Sequence, residues 1–332
     1  MNRSSRLFPL LRALAAPSPV VGGQAVMEGV MMRNGDVFGL AVRQPDGGIL
    51  ARRLPWFSLT RRPWLRAPFV RGFPILLETL VNGIRALNRS VEMADGGNGD
   101  AAPLTPWQIS LTLGLALLMA VGLFVVAPHL LSLIMLWLDL GGDVEGLSFH
   151  LWDGFFKCCI FLGYIWLISL VPEIRRVFQY HGAEHKTIHA FESGGPVEAC
   201  GARGMSRLHP RCGTTFLLFV ICISIILQAL LVPLLLAVWT PESAVAKHVL
   251  SIGFKLLLVI PISALAYELI RYAARLPDGP VARLLRTPGL GLQRLTTHEP
   301  DERQMEVAVV ALAEALGRDA DTEIRTPPYS RL

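Results

Sequence analysis

Hydrophobic residues along this chain gather in four long runs that are separated by polar stretches. The runs cover residues 107–138, 154–171, 214–239 and 248–270. Each run reaches the roughly 17–25 residues that a helix needs to cross a bilayer. Pro128, followed by His129, interrupts the first run, so a kink is expected there. The pattern predicts a mainly α, polytopic membrane protein with four transmembrane helices.

Outside these runs the spacing of apolar residues changes. Two short apolar stretches, 37–43 and 49–54, flank the turn sequence Pro45-Asp-Gly-Gly48, so residues 20–54 are expected to form a small β-hairpin or a three-stranded sheet. Helical spacing returns in two places, at positions 76, 77, 80, 84 and 87 and at positions 305, 308, 309, 312, 315 and 316. This spacing predicts two amphipathic helices, the second of them starting at Pro300-Asp-Glu.

These patterns divide the chain into five segments. They are a basic tail (1–19), a small β-rich segment (20–66), an amphipathic helix with a linker (67–101), a four-span membrane core (102–274) that includes a histidine-rich loop (172–213), and a C-terminal segment with an amphipathic helix (275–332). The Gly/Asn/Asp sequence at 95–100 is typical of a linker, and the residues from Asp319 onward are expected to be flexible.

Composition and charge place the protein in a membrane and orient it there. The chain is 52% hydrophobic and only 17% charged, which excludes an ordinary soluble protein. Thirteen Arg precede the first run, six Lys or Arg lie in the loop 172–213 and nine Arg follow the last run, whereas the two other loops have none and one. The positive-inside rule then predicts a multi-pass protein of the bacterial inner membrane. Both termini, the β element, the amphipathic helices and the histidine-rich loop are expected in the cytoplasm.

The same charges indicate the partners. The net charge is +5, and the basic residues flank the hydrophobic runs, so we expect contacts with membrane lipid and none with nucleic acid. The five cysteines show no disulfide framework. The sequence does not decide whether the protein forms a homo-oligomer.

The runs themselves contain few charged residues. We expect Lys157 to extend its amine to the membrane surface, Glu268 to pair with Arg271, and His129 to lie alone at a helix end. A transporter is therefore the weakest functional hypothesis at this stage, because no ion path is evident.

The densest chemistry lies in His181-Gly-Ala-Glu-His-Lys-Thr-Ile-His189. On a helix, His181 and His185 share one face with Glu184 beside them. The order His-x-x-Glu-His occurs in inverted zinc peptidases, where two imidazoles hold the metal and the carboxylate acts as a base. The alternative is a histidine-rich helix at the membrane surface whose imidazoles only form hydrogen bonds.

Geometry limits how these histidines can share an ion. His181 and His189 are about 12 Å apart along a helix axis, so both can bind one metal only if the helix breaks, for example at Gly182. Further ligands are offered by His209 and Cys212, three residues apart, with Cys200 as another candidate. A metal, favoured as zinc, would thus take its ligands from His181, His185, His189, His209 and Cys212, while Glu184 would be the catalytic base. Cys212 can equally be a small buried residue that caps the next helix.

Several blocks together resemble a known family. They are Val21-Gly-Gly-Gln-Ala-Val-Met-Glu-Gly-Val-Met-Met-Arg33, His181-Gly-Ala-Glu-His-Lys186, His209-Pro-Arg-Cys-Gly-Thr214, Leu292-Gln-Arg-Leu-Thr-Thr297 and Glu306-Val-Ala308. The chain resembles the YqhQ-like family of bacterial membrane proteins of unknown function, described as predicted metal-dependent enzymes, over residues 20–317. The resemblance strengthens the case for a metal and leaves the substrate and the reaction open.

Two hypotheses follow from the sequence. In the first, the protein is a metal-dependent enzyme, a hydrolase in the favoured version, that acts on an unknown substrate at the cytoplasmic face of the inner membrane. In the second, it is a non-catalytic scaffold, assembly factor or transporter accessory with a structural metal or a polar site. Three protein ligands and an open position favour the first, whereas four protein ligands favour the second.

Overall fold

The computed structural model describes residues 21–94, 106–194, 197–277, 279–317 and 326–331. The predicted basic tail 1–19, the linker 95–100 and most of the predicted flexible end lie outside these residues. The predicted fold class is confirmed: the protein is mainly helical, with four apolar helical spans and a small N-terminal sheet.

The sheet has more strands than the sequence indicates. Four antiparallel strands follow one another as β1 (Val21–Val26), β2 (Gly29–Asn34), β3 (Val37–Arg43) and β4 (Ile49–Pro55), and the short β5 (Ser330–Arg331) pairs with β4 in parallel. A tight turn separates β1 from β2, and in it Glu28 adopts a positive φ of 51°.

Helices make up the rest of the described chain. They are α1 (Gly72–Ala94), α2 (Pro106–Val121), α3 (Ala127–Trp137), α4 (Leu147–Ser169), α5 (Pro172–Glu192), α6 (Ala199–Arg203), α7 (Gly213–Val238), α8 (Ala244–Leu257), α9 (Val259–Arg275), α10 (Pro280–Thr296) and α11 (Glu302–Leu316). A 3₁₀ turn (Pro63–Arg66) precedes α1, and a π-helical turn (Gly122–Val126) joins α2 to α3.

Four stretches of the described chain are long and apolar enough to cross a membrane. They are Ser110–Trp137, Leu147–Ser169, Gly213–Val238 and Ala244–Arg275. The π-helical turn lies just before Pro128, where the sequence predicts a kink, because proline has no N–H to continue the helical ladder. The second span ends and the third begins next to α5, so α5 lies at one end of the bundle.

Inside the spans, the structure corrects the prediction that Lys157 extends its amine to the membrane surface. Lys157 is buried, and its amine donates to Asp153 Oδ2 at 3.2 Å and to Gln228 Oε1 at 2.5 Å. Lys255 from α8 donates to Asp153 Oδ1 at 2.6 Å. Asp153 lies one helical turn before Lys157 on α4 and faces the bundle. The amine of Lys157 is therefore paired with a buried acid inside the bundle and does not extend to the membrane surface.

Two further local predictions are also wrong. His129 is not alone, because its Nδ1 lies 3.2 Å from Lys255 Nζ and its Nε2 lies 3.2 Å from His248 Nδ1. Glu268 does not depend on Arg271 for its partner, since both its oxygens accept hydrogen bonds from Arg71 at 2.7 Å. Arg71 lies just before α1, which packs on α9, and its planar guanidinium matches a carboxylate in two-point contact.

The C-terminal helix α11, which the sequence predicts to be amphipathic, is a core helix that is buried over most of its surface. It starts with a capping box of Asp301 and Gln304, close to the predicted start. Its residues from Val307 to Leu312 are all fully buried, packed between the sheet and α5. The sheet, α11 and α5 share one hydrophobic core, and this core holds α5 in position.

Candidate metal centre

Helix α5 presents its histidines on one continuous face. It runs unbroken from Pro172 to Glu192, so the break considered at Gly182 does not occur. Gly182 instead lies against the backbone carbonyl of His298, where a Cβ atom would not fit. The ring centroids of His181 and His185 are 4.4 Å apart. The two imidazoles are therefore neighbours within one helical turn.

Cys212 completes a group of three with these histidines. It is the N-cap of α7, where its sulfur accepts a hydrogen bond from the backbone N–H of Thr214, and it is buried. His181 Nε2 lies 3.2 Å from Cys212 Sγ. One ligand atom each from His181, His185 and Cys212 lie within 4.8 Å of one another. Both interpretations of Cys212 from the sequence, a cap and a candidate ligand, are thus compatible with its position.

The backbone fixes which ring nitrogen of each histidine is free to bind. His181 Nδ1 lies 2.8 Å from the carbonyl oxygen of Thr296, and His185 Nδ1 lies 2.6 Å from that of Arg207. A carbonyl only accepts, so each Nδ1 must carry the proton and each Nε2 the lone pair. Histidines that bind metals usually donate their second ring N–H in this way, and the bond sets ring orientation and tautomer.

Glu184 lies beside this group in the protein interior. Its Oε2 is buried and has no hydrogen-bond partner among the described residues. Burial raises the pKa of Glu184 to about 8, while the electrostatic effect of the neighbouring His181 opposes this rise. Strand β1 covers the carboxyl group: a Cβ atom on Gly23 would lie 2.8 Å from Glu184 Cδ. A buried carboxyl oxygen without a hydrogen-bond partner costs free energy, and among the described residues Glu184 Oε2 has none.

The other predicted ligands form a second group. His189, Glu192 and His209 also bring ligand atoms within 4.8 Å of one another. His189 donates from Nε2 to the carbonyl of Leu208 at 3.0 Å, and Glu192 pairs with Arg211. The five predicted metal ligands are thus divided between two neighbouring groups, with ring centroids of His185 and His209 5.6 Å apart.

His209 is held by contacts that leave little freedom for metal binding. Its backbone N–H donates to Gln293 Oε1 at 2.7 Å, and its carbonyl accepts from Gln293 Nε2 at 2.8 Å. Its Nδ1 accepts the backbone N–H of Arg211 at 3.3 Å. Burial lowers the pKa of His209 to about 4, so the ring is neutral at physiological pH. Cys200 is exposed and belongs to neither group within the described chain.

The segment after α10 contributes more to the site than the sequence reveals. The Thr296 carbonyl binds His181, the Thr297 carbonyl and hydroxyl accept from Arg207, and Glu299 forms an ion pair with Lys186. The site residues predicted from the sequence do not include Lys186, Arg207, Gln293 or Gly23. Lys186 could have been found from the sequence, because it lies within the histidine block. Contacts with backbone carbonyls could not, because no residue type marks them.

Next to the first group lies a cavity of about 600 Å³. His181, Glu184 and Cys212 lie on its wall, together with residues from β1, α1, α5, α7 and α9. Two of the three candidate ligands, His181 and Cys212, therefore line a space that a small molecule can occupy, as a catalytic site requires and a closed structural site does not.

Comparison with known proteins gives a family without an assigned reaction. Residues 67–318 match the model of a family described as "Protein of unknown function (DUF1385)". The chain is also similar to the "Uncharacterized protein YqhQ" of Bacillus subtilis (strain 168), with 33% identity over 324 residues that cover 93% of this chain and 96% of that protein. No solved structure matches.

Proposed function

Because this chain belongs to the DUF1385 family of proteins of unknown function, we propose its activity from the site alone: it is a metal-dependent enzyme, and the reaction is hydrolysis. One observation carries the proposal. The buried Glu184 carboxyl, with one oxygen unpartnered, lies beside two imidazoles and a thiol at the wall of a cavity. A purely structural polar network has no evident use for that oxygen.

The three side chains fit a divalent metal of the zinc type. Zinc ligands lie about 2.0–2.3 Å from the ion, so two of them are at most roughly 4.6 Å apart. In a tetrahedral arrangement two ligands are about 3.5 Å apart. His181 Nε2 and Cys212 Sγ, at 3.2 Å, are close to this separation, and the ligand atoms of all three residues lie within 4.8 Å of one another. Two histidines and a cysteine form a catalytic zinc set that leaves a fourth position for a water or substrate.

In this proposal each residue has a definite task. His181 and His185 would hold the metal through Nε2, oriented by the carbonyls of Thr296 and Arg207, and Cys212 would be the third ligand. A bound divalent metal would supply Lewis-acid polarisation and would lower the pKa of a nearby water. Glu184 would take the proton from the attacking water and deliver it to the leaving group. The positive charge of the ion would also bring the pKa of Glu184 down from about 8 toward the range of a base.

We further propose that the site faces the cytoplasm of a bacterium. The support is the excess of arginine in the segments that surround the site. Thirteen Arg precede the first hydrophobic run, and nine follow the last run, which ends at residue 270. The strongly basic segments and the site share one end of the bundle.

A non-catalytic scaffold is the second candidate, and one observation favours it. The site imidazoles and the His189 group already donate to backbone carbonyls, as in a structural hydrogen-bond network. In that case the histidines would hold α5 against the 206–212 turn and the end of α10, without turnover.

Two substitutions separate these candidates. Glu184→Gln is nearly isosteric but cannot accept a proton, so it should keep the metal and the fold and lose about 10²–10⁴ in rate. His185→Ala removes a ligand and should lose the metal. Glu173→Gln, an exposed acid in the first turn of α5, is the matched control.

The measurements are metal content, thermal unfolding in detergent, and complementation of a deletion strain. For the enzyme, Glu184→Gln retains metal and fails to complement. If Glu184→Gln complements fully while His185→Ala unfolds, the hydrolase proposal is wrong and the scaffold stands.

A further inference from the structure

The cavity at the candidate metal centre has two chemically different regions. One end carries the polar side chains His181, Glu184 and Cys212. The remaining wall is largely apolar and includes Leu76, Phe178, Phe216, Leu217 and Ile270. A volume of about 600 Å³ lies within the range of pockets that enclose a whole small ligand. The cavity is therefore shaped for a molecule with one polar end and a long apolar part.

Part of the apolar wall of the cavity is formed by residues of the membrane spans. Phe216 and Leu217 lie in the first turn of the third span, and Ile270 lies near the end of the fourth span. Leu217 is 46% exposed, so this wall borders the space that the bilayer fills. The polar residues lie outside the spans: His181 and Glu184 are on α5, and Cys212 directly precedes α7.

Helix α1 carries an exposed apolar stripe that leads to the cavity. Its buried face, with Glu78, Asn82 and Ala86, packs on the sheet region. On its other face Leu80, Leu87 and Val91 are 56%, 42% and 47% exposed. They are spaced at one or two helical turns, and this stripe continues to Leu76, which lines the cavity. An exposed apolar stripe of this kind lies in the surface of a bilayer.

We infer that the cavity takes a membrane lipid, with one hydrocarbon chain along the apolar wall and the polar head group at Glu184. This inference rests on the proposed function for the reaction, and it adds the class of substrate. The lipid would enter sideways from the leaflet next to α1 and place a hydrolysable head-group bond between Glu184 and the ligands His181 and Cys212. One product would take the hydroxyl group of the attacking water and the leaving group would take its proton, so the reaction needs no further reactant.

A water-soluble peptide fits the cavity less well. A peptide brings an N–H and a C=O with every residue, and each such group needs a partner when it is buried. Along the apolar wall, side chains such as Leu76, Phe216 and Ile270 offer none. Hydrocarbon needs no partner there, and its burial is favourable by itself.

The test uses the full-length protein in nanodiscs and fluorescent single-chain amphiphiles with a constant head group and chains of 8 to 16 carbons. Binding is measured relative to nanodiscs without protein, because the bilayer also takes up longer chains more strongly. If the chain lies in the cavity, the binding that is due to the protein rises with chain length. The head group without a chain should not bind measurably. Affinity that is independent of chain length overturns the inference.

A matched pair of variants locates the chain. Leu76→Trp fills the cavity and should weaken binding of the 16-carbon probe at least tenfold. Leu80→Trp changes the exposed stripe one turn further along α1 and should leave this affinity within about twofold. Equal effects of both variants, or no effect of Leu76→Trp in a protein with normal thermal unfolding, exclude the cavity as the site. If Leu76→Trp does not fold, the chain-length series on the unchanged protein decides.

Glu184→Gln distinguishes this inference from the proposed hydrolysis. The variant should keep the chain-length dependence of probe binding, because the substitution changes the contact with the head group and leaves the apolar wall intact. If the probe binds with the expected length dependence but Glu184→Gln complements fully, the hydrolase proposal fails and the lipid cavity stands. If Glu184→Gln is inactive but the probe shows no length dependence, the enzyme stands and the lipid inference fails.

Discussion

Gly23 shows how a single residue controls the candidate site. It lies in β1, next to Gly22, and these two glycines look alike in the sequence. A Cβ atom on Gly23 would lie 2.7 Å from the Met31 carbonyl oxygen and 2.8 Å from Glu184 Cδ, whereas a Cβ atom on Gly22 would have nothing within 4 Å. Only Gly23 is therefore required for the close contact between the strand and the carboxyl group.

We predict that Gly23→Ala destabilises the protein by about 1–3 kcal/mol, because the added methyl group would overlap with the Met31 carbonyl oxygen and the Glu184 side chain. Gly22→Ala should stay within about 0.5 kcal/mol, as for an exposed position. Thermal unfolding of the two variants side by side measures the difference. Equal unfolding midpoints of the two variants would contradict the close contact between β1 and Glu184.

Among the elements, α1 is fastened to the sheet region by one buried acid. Glu78 is 1% exposed, and its Oε1 accepts the backbone N–H of Thr60 at 2.6 Å. Ser58 and the indole N–H of Trp56 also donate to this carboxylate. Burial acts to raise the pKa of Glu78, but these hydrogen bonds together lower it below its ordinary value. The bonds thus stabilise the charged form and, with it, the position of α1.

Glu78→Gln should lower the free energy of unfolding at pH 7 by about 1–3 kcal/mol, because an amide cannot accept all of these donors. A lowered pKa in the folded state stabilises the protein above the ordinary pKa of glutamate, about 4.3, and this contribution is lost as the pH falls through the folded-state value. The deficit of the variant should therefore shrink as the pH is lowered below about 4.

Unfolding of both proteins at a series of pH values tests this sign. Glu92→Gln on the same helix is the control, since Glu92 forms only an exposed pair with Arg89 and should change stability little. A deficit that is constant with pH would mean that the packing of Glu78, and not its charge, holds α1.

The membrane helices are joined by a second buried acid. Asp153 on α4 accepts from Lys157 of the same helix and from Lys255 of α8. The amine of Lys157 also bonds to Gln228 on α7, so one carboxylate organises three spans. Two buried amines thus share one negatively charged partner. Removing the charge of Asp153 leaves both amines without an opposite charge.

Asp153→Asn should cost about 3–5 kcal/mol, the range for removing one partner of a buried ion pair. Lys157→Met should cost less, because Asp153 keeps Lys255 as its partner. Asp139→Asn in the exposed loop after α3 is the control. Thermal unfolding in detergent ranks the three variants, and a larger loss for Lys157→Met than for Asp153→Asn would contradict this account.

At the scale of the whole molecule, the site lies at the end of the bundle that the basic segments surround. We predict that this end is cytoplasmic, with both termini on the same side. Single cysteines at Ser193, after α5, and at Ser148, in the first turn of α4, lie at exposed positions on opposite ends of the bundle. An impermeant thiol reagent applied from outside should label the cysteine at position 148 and not the one at 193.

The labelling needs a background in which the exposed Cys159, Cys200 and Cys222 and the half-buried Cys158 are replaced, whereas the buried Cys212 stays. Permeabilised cells should give labelling at both positions, which shows that both are reactive. Labelling of position 193 in intact cells would reverse the topology and remove the cytoplasmic assignment of the site.

The sequence by itself determined the features that depend on local spacing. Apolar runs of membrane length gave the four spans, and the i, i+4 spacing placed His181 and His185 on one face with Glu184 beside them. The cap at Asp301 could also be found approximately, because a helix start is a local signal.

Only the tertiary structure decided which distant groups meet. It placed Cys212, and not His209, with His181 and His185, and it paired Lys157 with Asp153 and Glu268 with Arg71. A buried helix and an amphipathic one differ in what packs on them, so α11 could not be assigned to the core from its own residues. The partners of the site histidines are backbone carbonyls, and every residue has one, so no residue type marks them. Their selection depends on where the whole chain brings the ends of its helices.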